Sequence, residues 1–185
     1  MLYTQIHLTL PAWINEEIDT GRVHADDESK MALAIQLARL NVEHGSGGPF
    51  GAAVFEESGK VLGVGVNRVV PQTCSVAHAE MMAFMSAQIR TQRFRLNEDR
   101  RVLLAASAQP CSMCYGASIW AGIDELLIGA RAEDVEELTE FDEGPLPVDW
   151  IGELKTRGIT VRRDLLRPAA REVLRLYAEQ GGPRY

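Results

Sequence analysis

Basic residues are outnumbered in this sequence, 19 Lys and Arg against 26 Asp and Glu, for a formal net charge of -7. A protein that binds a polyanion displaces counterions with a basic face, so this balance argues against a nucleic-acid partner. Long hydrophobic runs are missing too. No stretch approaches the ~20 apolar residues that cross a bilayer, which argues against a membrane role. The opening MLYTQIHLTLPAWI has no Lys or Arg ahead of its apolar part, so the basic start of a secretory signal is lacking. A cytoplasmic location is the expectation. Cysteine is scarce, at three in 185 residues. In a reducing compartment such thiols stay free, and these three belong to chemistry or packing rather than to crosslinks. With 46% hydrophobic and 24% charged residues the composition is that of an ordinary globular protein. A chain this long forms a core without disulfides. One domain over 1–185 is expected, with 1–25 as an N-terminal arm and 165–185 as a C-terminal helix and tail.

In the first 25 residues, Pro11 and Gly21 break any long element. Apolar residues then recur at helical spacing, Met31, Ala34, Ile35, Ala38 and Val42, between capping Asp26 and Asp27 and a stop at Gly45. GSGGPF (45–50) is a turn, and AAVFE (52–56), Ser58-Gly59 and VLGVGVN (61–67) read as a hairpin. A helix fits from about Ser75 to Arg90, and RVLLAASA (101–108) is a short apolar run suited to a buried strand. There follow a helix to about Gly122, a strand at ELLIGA (125–130), an acidic helix at about 132–140 and a Pro- and Gly-rich loop (144–152). GITV (158–161) is a short strand, and a last helix runs from Arg167 to Glu179 with Pro168 in its first turn. Strands alternating with helices imply an α/β fold, a three-layer α/β/α sandwich around a mixed five-stranded sheet.

Two short segments carry chemistry. One is His78-Ala79-Glu80; the other is Pro110-Cys111-Ser112-Met113-Cys114. Each is expected at the start of a helix. Zinc prefers nitrogen and thiolate ligands in a tetrahedron, and His78, Cys111 and Cys114 supply three while leaving a fourth place open. Cys111 and Cys114 lie three apart, which puts both sulfurs on one helical turn, where the positive end of the helix favours thiolates. Glu80, two residues from His78, projects near the metal without binding it and can move protons. H-x-E followed by P-C-x-x-C is the signature of zinc deaminases. A redox CxxC would leave His78 and Glu80 without a role, and a structural zinc site would want a fourth protein ligand. Neither Cys74 nor His7, His24 and His44 offers one at recognisable spacing.

At these residues the sequence resembles the cytidine deaminase superfamily, in its branch of purine and guanine deaminases. The likeness extends to GGPFGAAVFE (47–56), GVNRVV (65–70), CSVAHAE (74–80), QPCSMCYGASIWAGI (109–123) and FDEGP (141–145). It covers roughly residues 30–180. The resemblance implies zinc (Zn2+) on His78, Cys111 and Cys114, Glu80 as proton shuttle, and Glu143 as a second acidic group near the leaving amine. It also implies that Asn67, Phe50 and Ala79 contact a small-molecule nucleobase, and that the chain forms a homodimer. Without it, Asn67 is a turn residue and Phe50 a core aromatic. Gln109 stands where the family usually has glutamate ahead of the proline.

Guanine is the substrate the resemblance favours, with related amino-heterocycles such as ammeline beside it. The acidic pair in FDEGP, set in a loop next to Gly and Pro, is a poor neighbour for phosphate. The acids from Glu133 to Glu137 read as a solvated helix face. A tRNA adenosine deaminase shares the motifs but should carry a basic face, a cytosine deaminase remains open, and a non-catalytic zinc protein has no need of Glu80.

Overall fold

The computed structural model describes residue 2 and residues 4–184. Its strands are β1 (Gly51–Glu56), β2 (Val61–Val66), β3 (Val102–Ala108), β4 (Glu125–Ala130) and β5 (Thr160–Arg162). They form one sheet in the order β2-β1-β3-β4-β5. β1 is antiparallel to β2 and β3, whereas β3, β4 and β5 run parallel, so the sheet is mixed and five-stranded as expected. Three of its helices are long: α2 (Asp27–Glu43), α4 (Ala79–Thr91) and α8 (Arg167–Glu179). The others are α1 (Trp13–Glu17), α3 (Val69–Gln72), α5 (Ser112–Ala121), α6 (Ala132–Thr139) and α7 (Trp150–Thr156).

The period of the strands sorts the side chains onto two faces. Ala53 and Phe55 of β1 join the core under α1, α2, α6 and α8, while Ala52 and Val54 join the core under α4, α5 and α7. The result is the three-layer sandwich. No helix among the described residues is long and apolar enough to cross a membrane.

Two glycines bring α4 unusually close to the sheet. A Cβ at Gly63 would lie 2.4 Å from the Ala87 backbone nitrogen, and one at Gly65 would lie 2.1 Å from the Ala79 carbonyl oxygen. Any side chain there would push α4 away, and the start of α4 carries His78 and Glu80. What read as weak positions in a strand set the depth of those residues.

Several boundaries differ from the sequence expectation. The helix expected from Ser75 begins at Ala79, because residues 73–77 close a turn in which Cys74 N–H donates to Val69 O and Ala77 N–H to Cys74 O. The Pro- and Gly-rich segment runs into α7, whose start Asp149 caps by accepting from Gly152 N–H at 2.9 Å. The strand expected at 158–161 starts at Thr160, since Ile159 N–H still bonds to Leu154 O. Short α1 and α3 carry too few residues to show a period.

One correction concerns the acidic helix. Asp134 is not on a solvated face; it is 1% exposed and clamped by the C-terminal helix. Arg167 makes a two-pronged contact with it, at 2.7 and 2.8 Å, and Arg171 adds a third. The Arg131 backbone N–H also donates to it, at 2.8 Å. Burial opposes ionisation, but these donors outweigh it and hold Asp134 down at about 2 against an ordinary 3.8. A lowered value means stabilisation that is complete above the ordinary carboxylate range and lost as pH falls toward 2. Asp134→Asn is expected to cost on the order of 2 kcal/mol in urea unfolding at pH 7, with the gap to wild type closing as pH drops below about 4.

Candidate active site

His78 is the residue that caps α4, and Glu80 lies in the first turn of that helix. Cys111 caps α5, with Cys114 in its first turn. Both motifs thus sit at helix starts, as their spacing predicts, and the fold brings the two starts together. The ligand atoms of His78, Cys111 and Cys114 lie within 4.8 Å of one another. Cys111 Sγ is 3.5 Å from His78 Nδ1 and accepts from the Cys114 backbone N–H at 3.5 Å. Among the described residues this is the one group of three or more potential metal ligands; Cys74, His7, His24 and His44 stay outside it.

The electrostatics of the group ask for a cation. The Cys114 thiol, pushed up by Cys111 and by burial, cannot ionise beside a thiolate on its own. Cys111 is drawn down to about 4 by its hydrogen bond with Cys114, then by His78, against the effect of burial. Burial and Cys111 raise the Glu80 carboxyl. Glu143 is raised to about 8 by burial first, then by Glu80 and Cys111. For His78, burial favours the neutral ring, but Cys111, Glu80 and Glu143 together raise it. A divalent ion reverses the thiol logic and lets both sulfurs ionise. Two sulfurs and one imidazole nitrogen around one centre fit zinc, with a place to spare.

A cavity of about 90 Å³ opens beside the cluster, lined among others by Phe50, His78, Ala79, Glu80, Phe141 and Glu143. That is far below the ~300–1,000 Å³ of sites for drug-sized ligands, so the space suits a single small ring. Glu143 thus faces the same cavity as Glu80, though 63 positions separate them in sequence. Its backbone carbonyl accepts from Ser112 N–H at 3.0 Å, which ties the FDEGP loop to the start of α5. Asn67 is not in the cavity lining. It is 1% exposed, its N–H donates to Phe50 O at 3.0 Å, and its Oδ1 accepts from Val69 N–H at 3.2 Å. Its Nδ2 is buried with no hydrogen-bond partner among the described residues.

The zinc-binding region of cytidine and deoxycytidylate deaminases is matched over residues 24–130. The chain belongs to this family. It is similar to a tRNA-specific adenosine deaminase of Buchnera aphidicola, 37% identical over 60% of this chain and 70% of that one. A guanine deaminase of Bacillus subtilis is 33% identical over 63% of this chain and 71% of that one. The solved guanine deaminase from Nitrosomonas europaea is 43% identical, covers 97% of this chain and 99% of its own, and superposes with a TM-score of 0.91. This deaminase is therefore a zinc enzyme of that family.

Residue-by-residue reading of the sequence missed one wall of its cavity. Phe141 packs against Phe50 with ring centroids 5.7 Å apart and against Tyr177 of α8 at 6.1 Å. The signal was present: Phe141 is an aromatic set directly between the acids Glu140 and Asp142. Gln109 also lines the cavity, and its N–H donates to Ala130 O at 2.9 Å, so the backbone of the cysteine loop is anchored whatever the side chain.

Proposed function

We propose that this protein deaminates guanine, releasing xanthine and ammonia, with the ring held between Phe50, Phe141 and the backbone at Ala79. The observation that carries this is the pairing of Glu80 and Glu143 in one cavity sized for a single small ring, next to the zinc ligands. The Nitrosomonas europaea guanine deaminase, similar over nearly the whole chain, supports guanine; the match to a tRNA adenosine deaminase covers less of it.

His78, Cys111 and Cys114 would hold the zinc, which when bound supplies Lewis-acid activation of the attacking water. Glu80 takes the proton that this water gives up and passes it to the ring nitrogen beside the reacting carbon. Glu143, in the same cavity lining, delivers a proton to the exocyclic amine so that it leaves as ammonia. As the carbon keeps the water oxygen as the new carbonyl, the hydroxyl gives up its proton and restores the one Glu143 donated, so one water is consumed and one ammonia released. Asn67 Nδ2 donates to an acceptor on the base, which satisfies its unpartnered hydrogens.

A homodimer and a cytoplasmic location belong to this reading. Exposed Trp120 on α5 and Ile89 on α4, 80% and 71% accessible, are apolar surface that a second copy would cover. The three cysteines are unpaired, as a reducing compartment keeps them. Ammonia release across guanine, ammeline, adenine, cytosine, guanosine and a tRNA anticodon stem-loop tests the proposal. Turnover of guanine is expected, with no tight RNA binding at physiological salt. Turnover of the stem-loop and not of guanine would favour adenosine in RNA instead.

A further inference from the structure

Asn41 lies in α2, outside every motif that carries chemistry, and is 0% exposed. A fully buried amide stays only if its donors and acceptors are met. Its Nδ2 donates to two backbone carbonyls, Gly48 O at 2.8 Å and Asn67 O at 2.9 Å. Gly48 O in turn accepts from Phe50 N–H at 2.9 Å. One side-chain amide thus ties together the two segments that present Phe50 and Asn67. There is no slack at this junction. A Cβ at Gly47 would lie 1.9 Å from Asn67 O and 2.7 Å from Asn41 Nδ2, so only glycine lets the loop close on the amide.

The other half of Asn41 is held from the N-terminal arm. Its Oδ1 accepts from Ser46 Oγ at 2.8 Å, and Ser46 Oγ accepts from the indole N–H of Trp13 at 3.1 Å. Trp13 is stacked on His44, ring centroids 5.4 Å apart, and His44 meets Glu17 at 2.7 Å. Arg68, next to Asn67, bonds to Ser46 O and to Thr9 O of the arm. A continuous line of contacts therefore runs Trp13, Ser46, Asn41, Asn67.

We infer that Asn41 is a positioning residue for the base-binding edge of the cavity, oriented by Ser46 and by Trp13 of the N-terminal arm. The inference rests on Phe50 and Asn67 contacting the base. Asn41 touches no substrate; it sets where the Asn67 amide and the Phe50 ring stand. Loss of that alignment weakens binding of the ring in ground state and transition state alike, so KM rises while kcat stays.

The test is steady-state kinetics on guanine with Asn41→Asp and Ser46→Ala, alongside zinc content and melting temperature. Asn41→Asp keeps the size and the acceptor for Ser46 but has no donor for the two carbonyls. It is expected to raise KM roughly tenfold, and Ser46→Ala about threefold, with kcat within about twofold and zinc unchanged. A lower melting temperature with wild-type KM in both variants would make Asn41 a packing residue and overturn the inference. If Asn41→Asp does not fold, Ser46→Ala decides alone. A raised KM in Asn41→Asp only would leave Asn41 in place and remove the arm. Wild-type protein that is inactive on guanine brings down the functional reading first, before any variant is compared.

Discussion

Replacing Glu80 with Gln is expected to lower kcat on guanine by about 10²–10⁴-fold with zinc and fold retained. Glu80 is buried, lies in the first turn of α4 two residues after His78, and is absent from the metal-ligand group. Gln fills the same space and can hydrogen-bond, but it has no proton to give or take. The loss therefore falls on proton transfer. Cys111→Ala is the contrasting variant, because it removes a ligand and the cap of α5 together. That protein should lose metal and activity together. Metal analysis beside kinetics separates the two. A Glu80→Gln protein with near-wild-type kcat would move the proton route elsewhere, and a Cys111→Ala protein with full zinc would break the ligand assignment.

Glu143→Gln should cut kcat by a further large factor, on the order of 10²-fold, again with zinc unchanged. Glu143 shares the cavity with Glu80, and burial and Glu80 together raise its carboxyl to about 8. Bound zinc draws such a value back down, but two carboxyls in one small space still favour a single shared proton. That is the arrangement needed to protonate the amine while Glu80 serves the water. Asp142 is the built-in control. It lines the same cavity, but its Oδ1 accepts from Gly144 N–H at 2.8 Å and is engaged in the turn. Asp142→Asn should therefore cost far less in kcat. Equal, near-wild-type rates in both variants would take Glu143 out of the reaction. A surface acid would cost only about ±0.5 kcal/mol of stability and nothing in rate.

What could be read from the sequence was whatever depends on neighbours along the chain. Zinc chemistry was legible because the ligand types and the three-residue spacing of Cys111 and Cys114 are local, as are the two helix starts that hold them. The last helix matches its expected bounds, Arg167–Glu179, since Pro168 and a steady apolar period mark it. The hairpin and the places of the other strands along the chain followed from short apolar runs, whereas their order in the sheet was settled by the fold. Glu143 was reached through family likeness, and nothing local distinguishes it from Glu140 or Asp142. The fold decided that it lines one cavity with Glu80, that Phe141 closes on Phe50, that Asp134 is clamped by α8, and that Asn41 grips Asn67. Each of those pairs joins segments 26 or more residues apart. Periodicity tells which face of an element is apolar, but not which other face it will meet. That choice was made by close packing: Gly63 and Gly65 let α4 sink onto β2, and Gly47 let the 45–50 loop close over Asn41. A glycine in the sequence records only a missing side chain; the neighbour that needed the space appears once the chain has folded.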